Sequence, residues 1–438
     1  MVDETLVLDD LGTALERLDG ALDRCVHDGR PLYLELPRDL VDERPAARPR
    51  RRARPPRGAS PKRVEAGVAD VRERLAAARR PVVWAGAGIL RRDRGGEAIA
   101  LAERLGAPVV ESVMGKGAVD ETHPLVAGVY SGASSDAAVR RMVERADIVL
   151  ELGVDINDIN TGAFTLGVKE ERRVLADHTG LRVGHRDYRG VTLDDLLDGL
   201  RRRPPRRGPA PTTVPSAFVP RRSRGGRRVT CDLLAERLEG FLRPSDILVS
   251  DVGVAAHLLM DVRLARARQL HIARLYVGMG FAVPAARRAP RPRARAPGCA
   301  GGRQLLPMTG MDLSTAVSHG LAPIVLVLDN HGYGAERAIV DGPFNDIAPW
   351  DYVVAAEAVG AEGRRVATPQ ELDDALAEAR RGTGRAWLLW IDLDPTTRHG
   401  RCARWARGSS SSCTRPTEGR RAPSPRRPPA AGAPRWSA

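Results

Sequence analysis

Short apolar runs alternate with helical segments along most of this chain, and that alternation restricts the fold more than any other feature. The clearest runs are 81–85, 148–152, 324–328 and 386–391, and each is too short to form a helix. Parallel strands have this composition because helices cover both faces of their sheet and bury both sets of side chains. The sequence therefore predicts an α/β fold with parallel, doubly wound sheets.

Stretches rich in arginine and proline divide the chain into parts. We predict an N-terminal segment at 1–45, a central Rossmann-like domain at 62–198, a linker at 199–228, a third domain at 229–397 and a disordered basic tail at 398–438. Residues 287–306 contain six arginines, no acid and no β-branched residue. We expect that this aberrant interval cannot pack in the sheet, although the alternation calls for a helix and a strand there.

The net charge of +14 is concentrated in two segments. Residues 287–306 carry +6 and residues 398–438 carry +9, so the rest of the chain is close to neutral. No specific nucleic-acid partner is expected, because runs of like charge are usually solvated and no aromatic platform accompanies them. No apolar stretch reaches the roughly 18–20 residues of a membrane span, and the start of the chain lacks a signal-peptide pattern. With five scattered cysteines, a cytoplasmic protein is expected.

The strongest local signal follows the apolar run 324–328. There, Asp329-Asn330-His331-Gly332 forms a polar, glycine-containing turn at the carboxyl end of a predicted parallel strand, where open α/β sheets bind ligands. The Asn330 side chain and a carbonyl freed by the turn supply hard oxygen ligands suited to Mg²⁺. Taken alone, these residues also fit a turn that only reverses the chain.

The longer run 325–352 resembles the thiamine-diphosphate motif of the 2-oxo-acid decarboxylases that act on pyruvate, indolepyruvate and phenylpyruvate. The resemblance implies thiamine diphosphate as cofactor, with Mg²⁺ held by the Asn330 side chain and the Gly332 carbonyl. It also implies Tyr333 as a cofactor-binding residue and Glu336 as the catalytic carboxylate that faces the substrate. The alternative for Glu336 is a solvated residue that starts a helix.

Two upstream segments extend the resemblance. Residues 276–286 are similar to the family segment in which a bulky apolar residue lies under the cofactor, which implies that role for Met279 and a cofactor contact for Gly278. Met279 also fits the core as a filler. Residues 250–253 match a strand end near the diphosphate, which implies cofactor-binding roles for Asp251 and Gly253.

The N-terminal half is similar to the same family. Residues 112–117, 123–130 and 155–162 resemble its central domain. The glycine turn within 81–88 also fits a dinucleotide site, but a lone glycine turn is weak evidence and a structural role is favoured. Residues 32–41 resemble the end of the pyrimidine-binding domain, so most of that domain, including its catalytic glutamate, is expected to be missing from this chain.

One family element has no counterpart. The Gly-Asp-Gly that supplies a further Mg²⁺ ligand is replaced by Gly302-Arg303-Gln304, and an arginine cannot ligate a cation. Reading these codons one nucleotide later would begin Asp-Gly. We therefore hypothesise that 287–306, and also the tail 398–438, are translated out of frame, which the nucleotide sequence would test.

The expected parent activity is the non-oxidative decarboxylation of a 2-oxo acid to an aldehyde and CO₂, with this chain itself impaired. The alternatives are a carboligase similar to acetolactate synthases and a non-catalytic remnant. The family also implies a homo-dimer or homo-tetramer with a small 2-oxo acid as substrate and no membrane partner.

Overall fold

Three sheets form the framework of the protein. The computed structural model describes residues 4–28, 31–46, 59–205, 208, 214–218, 226–267, 269–272, 278–286, 297–302, 305–348, 350–382, 384–394, 400 and 403–404. Among these residues, no helix is long and apolar enough to cross a membrane. The α/β class with mainly parallel sheets is confirmed.

The N-terminal segment is a small β–α–β unit. It contains β1 (Glu4–Val7), α1 (Ala14–Asp28) and β2 (Leu32–Glu35), followed by a short 3₁₀ turn at Arg38–Leu40. The two strands pair in parallel, and a few apolar side chains lie between them and α1. On β2, Tyr33 and Leu34 remain exposed. That this unit is the end of a pyrimidine-binding domain stays a prediction.

The central domain is built on a seven-stranded sheet. Its elements are α2 (Pro61–Ala77), β3 (Pro81–Ala85), α3 (Ala87–Arg92), α4 (Gly95–Leu105), β4 (Val109–Glu111), β5 (Val126–Val129), α5 (Ala137–Glu144), β6 (Ile148–Leu152), α6 (Asp158–Thr161), β7 (Arg173–Ala176), β8 (Gly180–Val183), β9 (Arg186–Arg189) and α7 (Leu193–Arg202). The strand order is β5-β4-β3-β6-β7-β8-β9, parallel up to β7 and antiparallel beyond it. Strands β3 and β6 are buried throughout, as their apolar runs predict.

The third domain is built on a six-stranded, fully parallel sheet. Its elements are α8 (Cys231–Phe241), β10 (Leu248–Ser250), α9 (Val254–Leu259), β11 (Leu270–Ile272), α10 (Ala282–Ala286), β12 (Pro297–Gly302), α11 (Leu305–Thr309), α12 (Asp312–Ser318), β13 (Ile324–Asp329), α13 (Tyr352–Ala358), β14 (Glu362–Val366), α14 (Pro369–Arg381) and β15 (Trp387–Asp392). The strand order is β11-β10-β12-β13-β15-β14. The chain therefore reverses its direction of winding between β10 and β12.

The expectation that residues 287–306 cannot pack in the sheet is wrong for its second half. Strand β12 lies between β10 and β13, pairing Ala300 with both Ser250 and Leu326. The prediction failed because it relied on the lack of β-branched residues, whereas pairing with a strand on each side satisfies the backbone whatever the side chains are. Residues 287–296, 303 and 304 lie outside the described part of the chain.

A buried polar network joins the central and third domains. The Lys116 ammonium is fully buried, pairs with the Glu121 carboxylate, donates to the Val262 carbonyl (2.7 Å) and lies 4.2 Å from the Phe218 ring centroid. Glu121 also accepts a hydrogen bond from the Leu264 amide (2.7 Å). Buried charges are costly unless they are paired and hydrogen-bonded, so this network specifies how the two domains meet.

Candidate functional site

The carboxyl edge of the third-domain sheet contains the turns that follow β10 and β13. These strands flank β12, and the change of winding direction leaves a crevice there, at the position where doubly wound sheets bind ligands. Asp251 follows β10, and Asn330 follows β13. All the predicted site residues lie in the turns at this edge or in the segments that continue from them.

The Asp251 carboxylate supports the loop at 278–282. It is fully buried and accepts hydrogen bonds from the amides of Gly280 (3.0 Å) and Ala282 (2.9 Å). Burial raises the pKa of the Asp251 carboxyl above its ordinary value, although the backbone hydrogen bonds oppose that shift. Asp251 therefore positions the 278–282 loop, and any contact with a diphosphate stays a prediction.

The loop held by Asp251 presents Met279 to the surface. Gly280 has a φ of +80°, and its carbonyl accepts a hydrogen bond from the Thr309 hydroxyl (2.7 Å), so the turn is fixed on both sides. The Met279 side chain is 40% exposed. This exposure argues against a core filler, whereas an apolar residue on the floor of an open site would have it. A Cβ added at Gly278 would meet no heavy atom within 4 Å.

Gly253 and Val254 form the neighbouring wall. Gly253 has a φ of +78°, a conformation that favours glycine, and the space beside it is open. Val254 begins α9 and reaches towards Gly334 on the turn after β13. The segments after β10 and β13 therefore approach each other, although β12 lies between the two strands in the sheet.

Asn330 is the most informative residue of the site. Its side-chain oxygen is buried and has no hydrogen-bond partner in the described part of the chain. A buried polar atom without a partner costs about 1–3 kcal/mol, so such atoms often mark a place where an ion, a water or a ligand binds. The Asn330 amide nitrogen packs against Gly334, where an added Cβ would lie only 2.2 Å away.

The turn that carries Asn330 is shaped by tight backbone contacts. His331 has a φ of +63°, which is uncommon outside glycine. A Cβ on Gly332 would lie 2.1 Å from the Asn345 carbonyl oxygen, and the same oxygen accepts a hydrogen bond from the Tyr333 amide (2.9 Å). No described residue donates to the Gly332 carbonyl. The turn is therefore more than a chain reversal, because it fixes two oxygen atoms at the edge of the sheet.

Glu336 begins a short 3₁₀ turn and is exposed. The neighbouring Arg337 does not neutralise it, because that guanidinium pairs with Asp341 (2.8 Å) and Asp346. Phe344, which follows Glu336 by eight positions in the sequence, also has an exposed side chain. A carboxylate in this position is available to a substrate, but its catalytic role stays a prediction.

Sequence reasoning missed Asp329. This carboxylate is buried at the end of β13, accepts hydrogen bonds from the Trp390 indole (2.9 Å) and the His331 amide (3.0 Å), and so ties the turn to β15. An acid at the end of a wholly apolar run was the available signal. Arg303, which the resemblance places at the position of the family's metal-binding aspartate, lies outside the described residues, as do Tyr276 and Val277.

The residues present fit a Mg²⁺-bound diphosphate only in part. Asn330 supplies a buried oxygen in need of a partner, and Gly253 and Gly278 leave open space beside the turn. Among the described residues, however, no group of three or more His, Cys, Asp or Glu side chains is placed to hold a metal. The carboxylate that would complete the set is not identified.

The glycine turn after β3 has a structural role. The Gly88 amide donates to the Gly153 carbonyl (2.8 Å), and a Cβ on Gly86 would lie 2.1 Å from the same carbonyl oxygen. Backbone packing of the turns after β3 and β6 therefore fills the crevice that a dinucleotide would need. This agrees with the structural interpretation favoured from the sequence.

Comparisons with known proteins identify two domains of one family. Residues 68–187 match the family described as "Thiamine pyrophosphate enzyme, central domain", and residues 251–389 match "Thiamine pyrophosphate enzyme, C-terminal TPP binding domain". Together these two regions include most of the central domain and the whole carboxyl edge described above.

Individual relatives are similar over most of the chain. A pyruvate decarboxylase of Aspergillus fumigatus is 28% identical over 386 residues, which is 83% of this chain and 67% of the relative. Pyruvate decarboxylase isozyme 2 of Saccharomyces cerevisiae is 29% identical over 84% of this chain and 68% of the relative. An indole-3-pyruvate decarboxylase of Azospirillum brasilense is 28% identical over 89% and 71%, respectively. With both family domains present and relatives of one activity class, this chain belongs to the thiamine-diphosphate-dependent 2-oxo-acid decarboxylase family.

Proposed function

We propose that the carboxyl edge of the third-domain sheet binds thiamine diphosphate through Mg²⁺ and that the parent activity is decarboxylation of a 2-oxo acid to an aldehyde and CO₂. The observation that carries this proposal is the buried Asn330 oxygen, which has no described partner and lies beside the crevice. The Gly332 carbonyl would be the second ligand from the same turn. Both oxygens are hard donors of the kind that Mg²⁺ prefers.

The protein's own residues would divide the remaining work. The cofactor, when bound, supplies the electron sink for the pair released with CO₂. Met279 would support the cofactor from below because its loop is held by Asp251. Glu336 would hold or move a proton at the substrate, since its carboxylate is exposed and is not paired with Arg337.

We also propose that this chain binds the cofactor only weakly. Arg303 directly follows β12, where relatives of the family carry the metal-binding aspartate, and its positive charge would oppose a cation. A cytoplasmic homo-oligomer and a small 2-oxo acid substrate complete the proposal, by analogy with the family. A carboligase of the same family would differ in its product, a 2-hydroxy ketone or acid instead of an aldehyde.

Thermal unfolding with and without thiamine diphosphate and Mg²⁺ tests the proposed site. A ligand at a hundred times its dissociation constant stabilises a protein by about 2.7 kcal/mol, which raises the melting temperature by a few degrees. We expect little or no shift for the chain as it is and a clear shift for Arg303→Asp. Adding Asn330→Ala to Arg303→Asp should remove that shift again.

Two outcomes would contradict the proposal. A full shift in the unaltered chain would show that Arg303 does not weaken the site. A shift in Arg303→Asp that survives Asn330→Ala would show that the cofactor binds elsewhere.

In an Arg303→Asp chain that releases CO₂ from pyruvate or phenylpyruvate, Glu336→Gln should slow the reaction and leave the melting shift unchanged.

A further inference from the structure

A cavity lies at the amino edge of the central-domain sheet, away from the carboxyl edge of the third-domain sheet. The cavity has a volume of about 790 Å³ and is lined by residues from the ends of α2 and α4, the start of β3, helix α5 and the linker residues Gly208, Val214 and Pro215. Pro81, the first residue of β3, lines it, so it faces the amino edge of the sheet. Its volume is within the range of roughly 300–1,000 Å³ found for ligand pockets. No role in the proposed decarboxylation involves this edge.

The charge of this cavity is strongly one-sided. Among the described residues, its lining includes Arg79, Arg80, Arg141 and Arg145 but no acidic residue, and we call it the arginine cavity. All four arginines are exposed, and among the described residues none of their guanidinium groups has an ion pair or hydrogen bond. Arg141 lies on α5 and Arg145 is the residue that caps its carboxyl end, one helical turn away. Like charges at this spacing repel each other.

Other arginines of the same domain behave differently. Arg92, Arg94 and Arg173 each bind a carboxylate at 3.1 Å or less. The Asp147 carboxylate lies next to the arginine cavity, but it accepts hydrogen bonds from the backbone amides of Arg79 (2.7 Å) and Arg80 (3.0 Å). The four guanidinium groups therefore have no carboxylate partner among the described residues.

The remaining walls of the arginine cavity are apolar. Leu75, Val82 and Met142 contribute side chains, and several alanines and prolines complete the surface. A fully hydrated inorganic ion would gain little from such walls. A molecule with an apolar body and two or more anionic groups would contact both kinds of surface.

We propose that the arginine cavity binds a phosphorylated organic metabolite. Guanidinium groups match phosphate oxygens in a two-pronged geometry, and such charge-assisted bonds are about twice as strong as neutral ones. The body of the ligand would lie against Leu75 and Met142. This site is separate from the carboxyl edge that contains Asn330 and does not depend on its function.

The test uses the full chain, ATP as the probe and inorganic pyrophosphate as the charge-only comparison, both without Mg²⁺ so that the proposed cofactor site is not engaged. Binding is measured by calorimetric titration and thermal unfolding. We expect ATP to bind more tightly than pyrophosphate. Arg141→Ala combined with Arg145→Ala should weaken ATP binding at least about tenfold, because two charge-assisted bonds are lost.

The matched control is Arg186→Ala combined with Arg189→Ala, which removes two exposed charges from β9 in the same domain, outside the cavity. It corrects for nonspecific attraction to the arginine-rich segments, and it should leave ATP binding within about twofold of the unaltered chain. A third variant, Ala138→Trp, fills the cavity without removing charge and should also abolish tight ATP binding.

Equal losses in the two double variants would overturn the proposal, because surface charge alone would then explain binding. Full binding in Ala138→Trp, or no binding to the unaltered chain at millimolar ATP, would overturn it as well. Arg141→Lys with Arg145→Lys keeps the charge and the fold, and it should bind ATP with intermediate affinity.

Discussion

The two large sheets share one winding scheme, but their carboxyl edges are used differently. In the central domain the direction of winding changes between β3 and β6, and the turns that follow these strands pack backbone against backbone at Gly88 and Gly153. In the third domain it changes between β10 and β12, and Gly253 there has open space beside it. The first pair of turns is in close backbone contact, whereas a Cβ added at Gly253 would meet no heavy atom within 4 Å.

Function in such a chain depends on the residues of the edge more than on the fold. The central domain pairs the buried Lys116 ammonium with the Glu121 carboxylate. The third domain leaves the Asn330 oxygen buried without a described partner. Buried polar atoms without a described partner occur in both domains, the Trp84 indole nitrogen being one in the central domain, so it is the position of Asn330 at the carboxyl edge that makes its oxygen a candidate ligand.

The largest effect is expected from breaking the buried pair of Lys116 and Glu121 in the central domain. Lys116→Met would leave the Glu121 carboxylate buried without its cation, and removing one partner of a buried pair costs about 3–5 kcal/mol. The free energy of unfolding, measured by urea titration, should fall by that amount. Arg203→Ala, which breaks an exposed pair with Glu65, is the control and should cost less than about 1 kcal/mol. Similar losses in both variants would mean that the buried pair contributes no more than a surface pair.

A smaller effect is expected from closing the open edge. Gly334→Ala would place a methyl group 2.2 Å from the Asn330 amide nitrogen and 2.9 Å from Val254, so the turn must shift at a cost of about 1–3 kcal/mol. Gly278→Ala is the matched control, because its Cβ would meet no heavy atom within 4 Å. Thermal unfolding should separate the two variants. If Gly334→Ala melts at the same temperature as Gly278→Ala, the turn around Asn330 is looser than described.

Counted per pH unit, the smallest effect is the dependence of stability on pH. Burial, and then the nearby Glu121 charge, raise the pKa of the Glu111 carboxyl well above 4.5. Between 4.5 and that raised pKa the folded chain holds a proton that the unfolded chain has released, so stability falls as pH rises, by at most about 1.4 kcal/mol per unit. Glu111→Gln keeps the acceptor for the Val119 amide but lacks the proton. The variant should therefore gain stability relative to the unaltered chain as pH rises. The free energy of unfolding of both chains is measured by urea titration from about pH 5 to 8, and the same pH dependence in both would refute this prediction.

Apolar runs predicted the buried strands well. The runs at 81–85 and 148–152 became β3 and β6 without change, and the run at 324–328 became β13 with one added residue. Antiparallel β8 and β9 were not anticipated, because charged residues interrupt both and no continuous apolar run remains. Strand β12 was missed because its pairing comes from its neighbours.

The candidate ligands could be predicted from the sequence, but their supports could not. The family resemblance pointed to Asn330 and Gly332, because the chemistry of the turn alone also fits a simple chain reversal. The use of Asp251 as a support for the 278–282 loop depends on which backbone amides reach its carboxylate, and only the packed structure determines that. The arginine cavity joins residues that are far apart in sequence, so no local pattern announced it.

The hydrogen bonds that cross between domains affect how members of this family can be recombined. Lys116 and Glu121 come from one domain, whereas Val262 and Leu264 supply their backbone partners from the other. A chimera that takes its central domain from one relative and its third domain from another inherits only half of this contact. Such hybrids should work best when the loop at 262–264 is exchanged together with 116–121, so the useful crossover point is set by this contact and not by the linker at 199–228.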